Sequence, residues 1–278
     1  MTATAAEDWK HWSDGRAASV SATHGQLALT GTHWLEPEPA EIPGLPGHWW
    51  AGAGAGAGAG AEGVRLRAAA SDGITVNGAG ASVEREGAPV DGEVLLRPDS
   101  DPAADTATLG DLLLVPIERE GELALRVFDP AAPRRTAFAG ISAYPYAPEW
   151  AVPAVFTPFE DGDARSVVVP NADGRERPLA VSGQIAFTVA GEHRTLTVGR
   201  AGGRLSGVIA DATSGIDTYR FRFITLPAPD AEGRTVLDLN RAYLPPCAFS
   251  DHFICPFPPP GNRLDFAVEA GEKQVLSR

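Results

Sequence analysis

From Val64 onward, hydrophobic residues occur in short runs that Gly, Pro, Asn and Asp interrupt. Such runs with turn residues between them are typical of β-strands, and Asn77-Gly78 suits a tight hairpin turn. Because no long helical segments alternate with these runs, the pattern argues against a parallel α/β sheet. We therefore predict an all-β fold, mainly an antiparallel sandwich or barrel. The predicted strands lie at 26–35, 74–79, 92–97, 112–118, 123–128, 165–169, twice within 179–200, and at 204–210, 218–225, 235–239 and 264–269.

A short N-terminal helix is predicted before this β-rich region, over residues 5–20. Trp9, Trp12 and Arg16 recur there at spacings of three and four, which places their side chains on one helix face. Large aromatic side chains on one face usually pack against the rest of a protein. We therefore expect the two tryptophans to dock this helix onto the β-structure.

Composition divides the chain into three segments, which we expect to form one compact domain. Residues 1–50 contain the helix and a docking segment, residues 51–62 an Ala- and Gly-rich flexible loop, and residues 63–278 the β-rich body. The Ala-Gly alternation lacks the glycine spacing that a dinucleotide-binding loop requires. The proline-rich stretch 144–158 is interpreted either as a division between two lobes or as a crossover loop.

Composition and charge also narrow the classes of partner. The 278 residues are 44% hydrophobic, enough for a large core, and carry a net charge of −13. This charge repels nucleic acids and anionic membranes, and no stretch reaches the roughly 20 apolar residues needed to span a bilayer. Two cysteines and no secretory pattern at the N-terminus predict a cytoplasmic location. The expected partner is a small-molecule ligand, and a homodimer is left open.

Chemically distinctive residues concentrate in the segment 239–264. It holds both cysteines, His252 and the pairs Asn240-Arg241 and Asn262-Arg263, among six prolines. The standard motifs of serine hydrolases, phosphate-binding loops and zinc-binding helices are absent from the sequence. We therefore place the candidate site in this less standard combination of residues.

The two cysteines of this segment allow several interpretations. Cys247, His252 and Cys255, with Asp251 adjacent, are competent zinc ligands, but their spacing matches no standard zinc motif, so we predict no metal. A Cys247–Cys255 disulfide is geometrically possible, although a cytosolic location disfavours it. Two buried reduced thiols in a proline-stiffened loop are the simplest alternative. The remaining one is a nucleophilic Cys247 with His252 as its base.

Guanidinium and amide groups near the C-terminus favour an anion-binding site. Arginine binds carboxylate or phosphate through two parallel hydrogen bonds, and asparagine side chains would orient such a ligand. The predicted ligand-binding residues are Arg222, Asn240, Arg241, Asn262 and Arg263.

A structural role is the alternative for the same arginines, because ion pairs often only brace a fold. The expected partners in that case are Asp211, Asp217 and Asp238. Strand alternation also predicts that Arg220 and Arg222 share one polar face.

Several motifs resemble one known family. They are Asp211-Ala-Thr-Ser-Gly-Ile-Asp-Thr-Tyr219, Asp238-Leu-Asn-Arg-Ala-Tyr243, Pro245-Pro-Cys-Ala-Phe249, Cys255-Pro-Phe-Pro-Pro-Pro260 and Ala270-Gly-Glu-Lys273. With them the chain resembles domain of unknown function 1684 (DUF1684), and Trp9-Lys-His-Trp12 and Thr32-His-Trp-Leu35 look similar as well. The resemblance implies no activity, because none is assigned to the family. Family members usually have Asn where this chain has Leu244, so we expect ligand specificity to differ at that position.

From these residues we expect a small-molecule enzyme without a redox cofactor, a hydrolase or a lyase or cyclase, that acts on an anionic or carboxylate-bearing substrate. The predicted proton-transfer residues are Tyr243, Cys247, Asp251 and His252. The first alternative is a non-catalytic small-molecule binding protein with a β-barrel or sandwich pocket. The second is a structural interaction protein with an exposed apolar patch.

Overall fold

The computed structural model describes residues 4–53, 61–78, 87–160, 165–189 and 191–278. In these ranges two helices, α1 (Ala5–Val20) and the one-turn α2 (Pro133–Thr136), accompany eighteen strands that pair antiparallel. The prediction of an all-β fold with an N-terminal helix is therefore confirmed. No helix in the same ranges is long and apolar enough to cross a membrane. The chain separates into two compact units, residues 21–136 and residues 1–20 together with 137–278.

The unit formed by residues 21–136 contains two sheets. Its described strands are β1 (Leu29–Trp34), β2 (His48–Ala53), β3 (Ala61–Ala68), β4 (Ile74–Asn77), β5 (Gly92–Leu96), β6 (Thr106–Leu109), β7 (Leu112–Arg119) and β8 (Glu122–Phe128). The five-stranded sheet has the order β1-β8-β7-β6-β4, and the three-stranded sheet has the order β2-β3-β5. Side chains from both sheets, among them Trp49, Leu66 and Leu125, share one core.

The predicted Ala- and Gly-rich loop falls in this unit. Its first residues belong to β2 and its last to β3, while residues 54–60 lie outside the described ranges. The boundaries expected at residues 50 and 62 thus lie inside one unit, whose own limits are residues 21 and 136.

The unit that holds the candidate site is built on a six-stranded sheet. Its described strands are β9 (Phe138–Ala143), β10 (Ala151–Pro158), β11 (Arg165–Pro170), β12 (Glu176–Val181), β13 (Gly183–Val189), β14 (Glu192–Ala201), β15 (Arg204–Ile209), β16 (Arg222–Leu226), β17 (Arg234–Asp238) and β18 (Glu272–Ser277). The order in the large sheet is β16-β15-β14-β13-β10-β17, and β11 pairs with β12 and β9 with β18. Because β16 and β17 also contact each other, the sheet curls strongly around a core that includes Ile185, Phe187 and Leu205.

Helix α1 starts at a capping box formed by Thr4 and Glu7. The Thr4 hydroxyl accepts from the Glu7 backbone N–H at 3.3 Å, and the Glu7 carboxylate accepts from the Thr4 backbone N–H at 2.7 Å. Further along the helix, the Trp9 indole N–H donates to the Asn240 carbonyl oxygen at 2.8 Å. The helix therefore docks through a tryptophan, as its spacing predicts.

Residues 151–158 of the proline-rich stretch 144–158 form strand β10, so the interpretation as a lobe boundary or crossover loop is wrong for this part. Val152, Ala154 and Phe156 alternate into the core, whereas Pro153 points outward. The Phe156 N–H donates to the Gly233 carbonyl oxygen, on the side of β17. Because successive N–H groups of a strand point to opposite sides, the N–H that Pro153 lacks would point toward β13. Pairing with β13 begins only at Ala154. The proline therefore removes no hydrogen bond from either ladder.

Two further predictions from strand alternation are wrong. Residues 264–269 form no strand, because Leu264 and Val268 pack into the core from an irregular segment. Arg220 and Arg222 do not share a face, since β16 begins only at Arg222 and this side chain turns inward while Arg220 stays exposed.

Candidate functional site

An open cleft of about 410 Å³ is lined by arginine and aromatic side chains. Its walls come from α1, β15, β16 and the segment that follows β17. The lining residues are Trp12, Arg16, Arg204, Thr225, Arg241 and Tyr243. Three guanidinium groups thus surround one cavity in a chain whose net charge is −13.

Arg16 is fixed in this cleft by a buried carboxylate. Its Nε and Nη2 donate to Oε1 and Oε2 of Glu272 over 3.0 and 3.2 Å, and Nη2 also donates to the Leu244 carbonyl oxygen at 3.2 Å. Glu272 is 2% exposed, and its Oε2 also accepts from the Leu244 backbone N–H at 2.7 Å. The guanidinium carbon lies 4.9 Å from the centre of the Tyr243 ring. Arg16 is therefore held on several sides at once.

Arg241 is positioned by two aspartates and a tryptophan. It forms ion pairs with Asp8 of α1 and with Asp238, the latter at 3.3 Å between Nε and Oδ2. Its guanidinium carbon lies 5.8 Å from the centre of the Trp12 ring. Arg241 therefore both pairs with Asp238, as the structural alternative predicts, and lines the cleft.

Arg204 differs from the other two arginines because it is exposed and forms no ion pair with any residue in the described ranges. Opposite it, the Tyr243 hydroxyl lies 3.4 Å from Oγ1 of Thr225. The cleft therefore combines one arginine charge that no described carboxylate neutralises with two hydroxyl groups that donate or accept hydrogen bonds.

Arg222 lies outside the cleft and is 0% exposed. Its Nη2 donates to Oδ2 of Asp211 at 2.7 Å and to the Val268 carbonyl oxygen at 3.0 Å, while Nη1 donates to the Ala270 carbonyl oxygen. Arg222 therefore has the structural role that the sequence analysis left open for the arginines, because its guanidinium presents no surface to a ligand.

Asn240 and Asn262 are both buried. The side-chain amide of each forms two hydrogen bonds with the backbone N–H and carbonyl of one residue, as a neighbouring strand would. Asn240 accepts from the Ala147 N–H at 3.0 Å and donates to the Ala147 carbonyl oxygen at 2.9 Å. Asn262 makes the same two bonds with Thr197, both at 2.8 Å, and donates to the Val208 carbonyl oxygen at 2.9 Å. Their amides are therefore occupied by backbone groups and, for Asn240, also by the Asp238 carboxylate at 3.0 Å.

Arg263, Asp251 and His252 are exposed side chains. Arg263 lines a separate shallow depression of about 300 Å³ together with His193 and Arg194. Of the three, none lines the arginine cleft. Among the described residues, no three His, Cys, Asp or Glu side chains are grouped closely enough to hold a metal ion.

Cys247 and Cys255 are buried, lie together and form no disulfide. The Cys247 N–H donates to the Cys255 sulfur at 3.3 Å, and the Tyr219 hydroxyl lies 3.7 Å from the Cys247 sulfur. A hydrogen bond from Cys255 lowers the pKa of the Cys247 thiol to about 7 against the opposing effect of burial, helped by Tyr219 and the charge of Arg220. Burial, followed by the nearby Cys247, raises the pKa of Tyr219 to about 12.

The cleft unites only two of the predicted site residues, Arg241 and Tyr243. Arg16 and Arg204 also line the cleft and were not predicted as site residues, although the spacing of Trp12 and Arg16 already marked one helix face. No sequence signal distinguishes Arg204 from other surface arginines. Leu244 enters the site only through its backbone, because its side chain is 0% exposed.

Comparison with known families assigns the C-terminal part of the chain. Residues 136–273 match the family model described as "Protein of unknown function (DUF1684)". The chain belongs to the DUF1684 family. The DUF1684 match includes Arg204, Thr225, Arg241 and Tyr243, whereas Trp12 and Arg16 of α1 lie outside it. The similarity noted in the N-terminal motifs is therefore not part of the match.

The solved structures similar to this DUF1684 protein include one from an archaeon. It is the solution NMR structure of an uncharacterised protein from Haloarcula marismortui, with 34% sequence identity and a TM-score of 0.41. The alignment covers 49% of this chain and 77% of that chain. No curated protein matches this DUF1684 chain.

Proposed function

We propose that this protein binds a small anionic molecule, a carboxylate in the first instance, in the arginine cleft. The observation that carries the proposal is the convergence of Arg16, Arg204 and Arg241 on one cavity beside two hydroxyl groups. Small-molecule sites typically combine a concave surface with a few fixed polar groups, which this cleft does.

The ion pairs of the cleft leave hydrogen-bond donors for a ligand. A guanidinium carries five N–H donors, and the described partners of Arg241 engage only its Nε and Nη2. Because Glu272 and Asp238 hold two of the arginines in place, little side-chain entropy is lost when an anion binds. Arg204 adds the positive charge that attracts the anion.

Binding without chemistry has more support than the expected hydrolase, lyase or cyclase. Of the four predicted proton-transfer residues, only Tyr243 lines the cleft. Cys247 is buried beside Tyr219, and His252 is exposed elsewhere on the surface. General acid-base catalysis requires such groups within hydrogen-bond reach of one substrate.

Calorimetric titration with butyrate and with inorganic phosphate at low ionic strength tests the proposal. We expect binding of at least one anion to the unaltered protein, and about tenfold weaker binding to Arg204→Gln, because a charge-assisted hydrogen bond is lost. Arg263→Gln is the matched control, since it removes an exposed arginine outside the cleft. Absence of binding for both anions, or equal weakening by the two variants, contradicts the proposal.

A further inference from the structure

A second, apolar cavity of about 170 Å³ adjoins the arginine cleft. Its lining includes Ser206, Val208, Phe223 and Tyr243, together with residues of β12 and two prolines. Tyr243 lines both cavities. The two spaces therefore share a wall.

The register of β15 and β16 places both cavities on the same face of one sheet. Ser206 pairs with Thr225, and Val208 pairs with Phe223. Alternate residues of a strand share a face, so Arg204 lies in line with Ser206 and Val208. Thr225 lines the cleft while its partner Ser206 lines the apolar cavity, so the two linings are continuous.

Tyr243 has two chemically different ends at this junction. Its ring packs edge-on against Phe223, with ring centres 5.8 Å apart and planes at 87°. Its hydroxyl lies 3.4 Å from Oγ1 of Thr225 on the side of the arginines. Tyr243 thus brings an aromatic ring and a hydroxyl group to the boundary that the two cavities share.

Backbone contacts hold the roof of the apolar cavity in place. A Cβ at Gly199 would lie 2.6 Å from the Ala180 carbonyl oxygen, so β12 approaches β14 closely there. Pro256 forms an isolated bridge with Asn171, and the next N–H, of Phe257, donates to the Pro170 carbonyl oxygen at 2.9 Å. Backbone contacts therefore fix the shape of the apolar cavity.

We propose that the ligand is an amphipathic monocarboxylate whose carboxylate binds the arginine cleft and whose hydrocarbon part fills the apolar cavity. This inference rests on the proposed anion binding and adds the class of molecule. The cavity volume of about 170 Å³ is close to the roughly 150 Å³ at which an apolar protein cavity accepts benzene. A phenyl ring or a chain of about five or six carbons therefore fits, whereas a long-chain fatty acid does not.

A homologous series of ligands tests this arrangement in the intact chain. Calorimetric titrations use acetate, butyrate, hexanoate, phenylacetate and dodecanoate. Each added methylene should tighten binding about fourfold until the cavity is full, because each buried CH₂ stabilises the complex by roughly the same free energy. Phenylacetate should bind at least as tightly as butyrate, and dodecanoate should gain nothing over hexanoate.

Ser206→Phe should fill the apolar cavity with a side chain. We expect this variant to lose most of the gain in affinity from butyrate to hexanoate that the unaltered protein shows. Thr188→Phe is the control, because Thr188 is exposed on β13 and lines neither cavity. If Ser206→Phe does not fold, the chain-length series in the unaltered protein still decides.

The possible outcomes separate the two proposals. Affinity that depends on Arg204 but not on chain length overturns the amphipathic ligand and leaves anion binding intact. Hexanol binding as tightly as hexanoate, with no effect of Arg204→Gln, overturns anion binding itself. An unchanged chain-length dependence in a folded Ser206→Phe variant also overturns the assignment of the apolar cavity.

Discussion

Arg16 and Glu272 form a bidentate ion pair, with Nε–Oε1 and Nη2–Oε2 distances of 3.0 and 3.2 Å, across 256 positions of sequence. The pair joins α1 to the start of β18. Because Glu272 is 2% exposed, removal of either partner leaves a polar or charged group without its counterpart in a largely dry environment. The arginine cleft therefore depends on a contact of which the DUF1684 match includes Glu272 but not Arg16.

Glu272→Gln should lower the free energy of unfolding by about 2–4 kcal/mol, because Arg16 and the Leu244 N–H lose a charged acceptor. Urea denaturation measures the change, and a double-mutant cycle with Arg16→Met should give a coupling energy of about 1–3 kcal/mol. Glu93→Gln, which removes the exposed ion pairs with Arg65 and Arg67, is the control, with a clearly smaller expected change. Equal losses of unfolding free energy in the two variants would show that the buried ion pair stabilises the protein no more than an exposed one.

Asp211 makes part of the stability dependent on pH. Burial alone would raise its pKa, but Arg222 and hydrogen bonds from Thr213 hold the pKa below its usual value of 3.8. A carboxyl with a depressed pKa contributes stability above its unfolded pKa and loses it as the pH falls through the folded value. The stability difference between the unaltered protein and Asp211→Asn should therefore be full at neutral pH and shrink below about pH 4.

Denaturation of both proteins at a series of pH values measures this difference, and Asp217→Asn, which alters an exposed aspartate, is the control. At neutral pH the loss in Asp211→Asn should be about 3–5 kcal/mol, because Arg222 remains buried without its counter-ion. A difference that stays constant down to pH 2 would contradict the assigned pKa direction.

Cys247 should titrate near neutral pH. The ultraviolet absorbance of its thiolate should rise with a midpoint at about pH 7, because Cys255 donates a hydrogen bond to the sulfur. Cys255→Ala should move the midpoint upward, and Tyr219→Phe should move it in the same direction. Cys247→Ser identifies the part of the absorbance that belongs to Cys247, and a midpoint near the ordinary value of about 8.5 in the unaltered protein refutes the prediction.

Gly271 is required where the chain enters β18. Its φ is +79°, and a Cβ there would lie 2.4 Å from the Ala242 carbonyl oxygen, so Gly271→Ala combines backbone strain with a clash. Gly261→Ala is the matched control, since its φ is +89° and no atom lies within 4 Å of the added Cβ. We expect about 1–2 kcal/mol of destabilisation at Gly261 and clearly more at Gly271. Thermal unfolding compares the two variants, and similar losses exclude the clash as a cause.

The fold class was predictable because alternation and turn residues are local signals. The same signal was present in β10, where Val152, Ala154 and Phe156 alternate, but the prolines at 153 and 158 concealed it. Whether a proline disrupts a sheet depends on which neighbouring strand its missing N–H faces. That neighbour is fixed only by the tertiary pairing.

The candidate site was only partly predictable because ligand-binding and structural residues share the same chemistry. Asn262 and Arg241 stand in similar Asn-Arg pairs, yet Asn262 is buried against backbone groups whereas Arg241 lines the cleft. Arg204 carries no local signal, since its position beside Tyr243 follows from the pairing of β15 with β16. Burial and strand register determine which of these side chains line the cleft, and neither can be inferred from the local sequence.

The joining of α1 to β18 has a consequence for the newly made chain. The ribosome releases α1 first and Glu272 more than two hundred residues later, so the helix emerges long before its counter-charge exists. Trp9 and Trp12 meanwhile lack the surface that they cover in the finished protein. The arginine cleft should therefore be completed only after Glu272 has emerged, when residues 21–136 have already had time to fold.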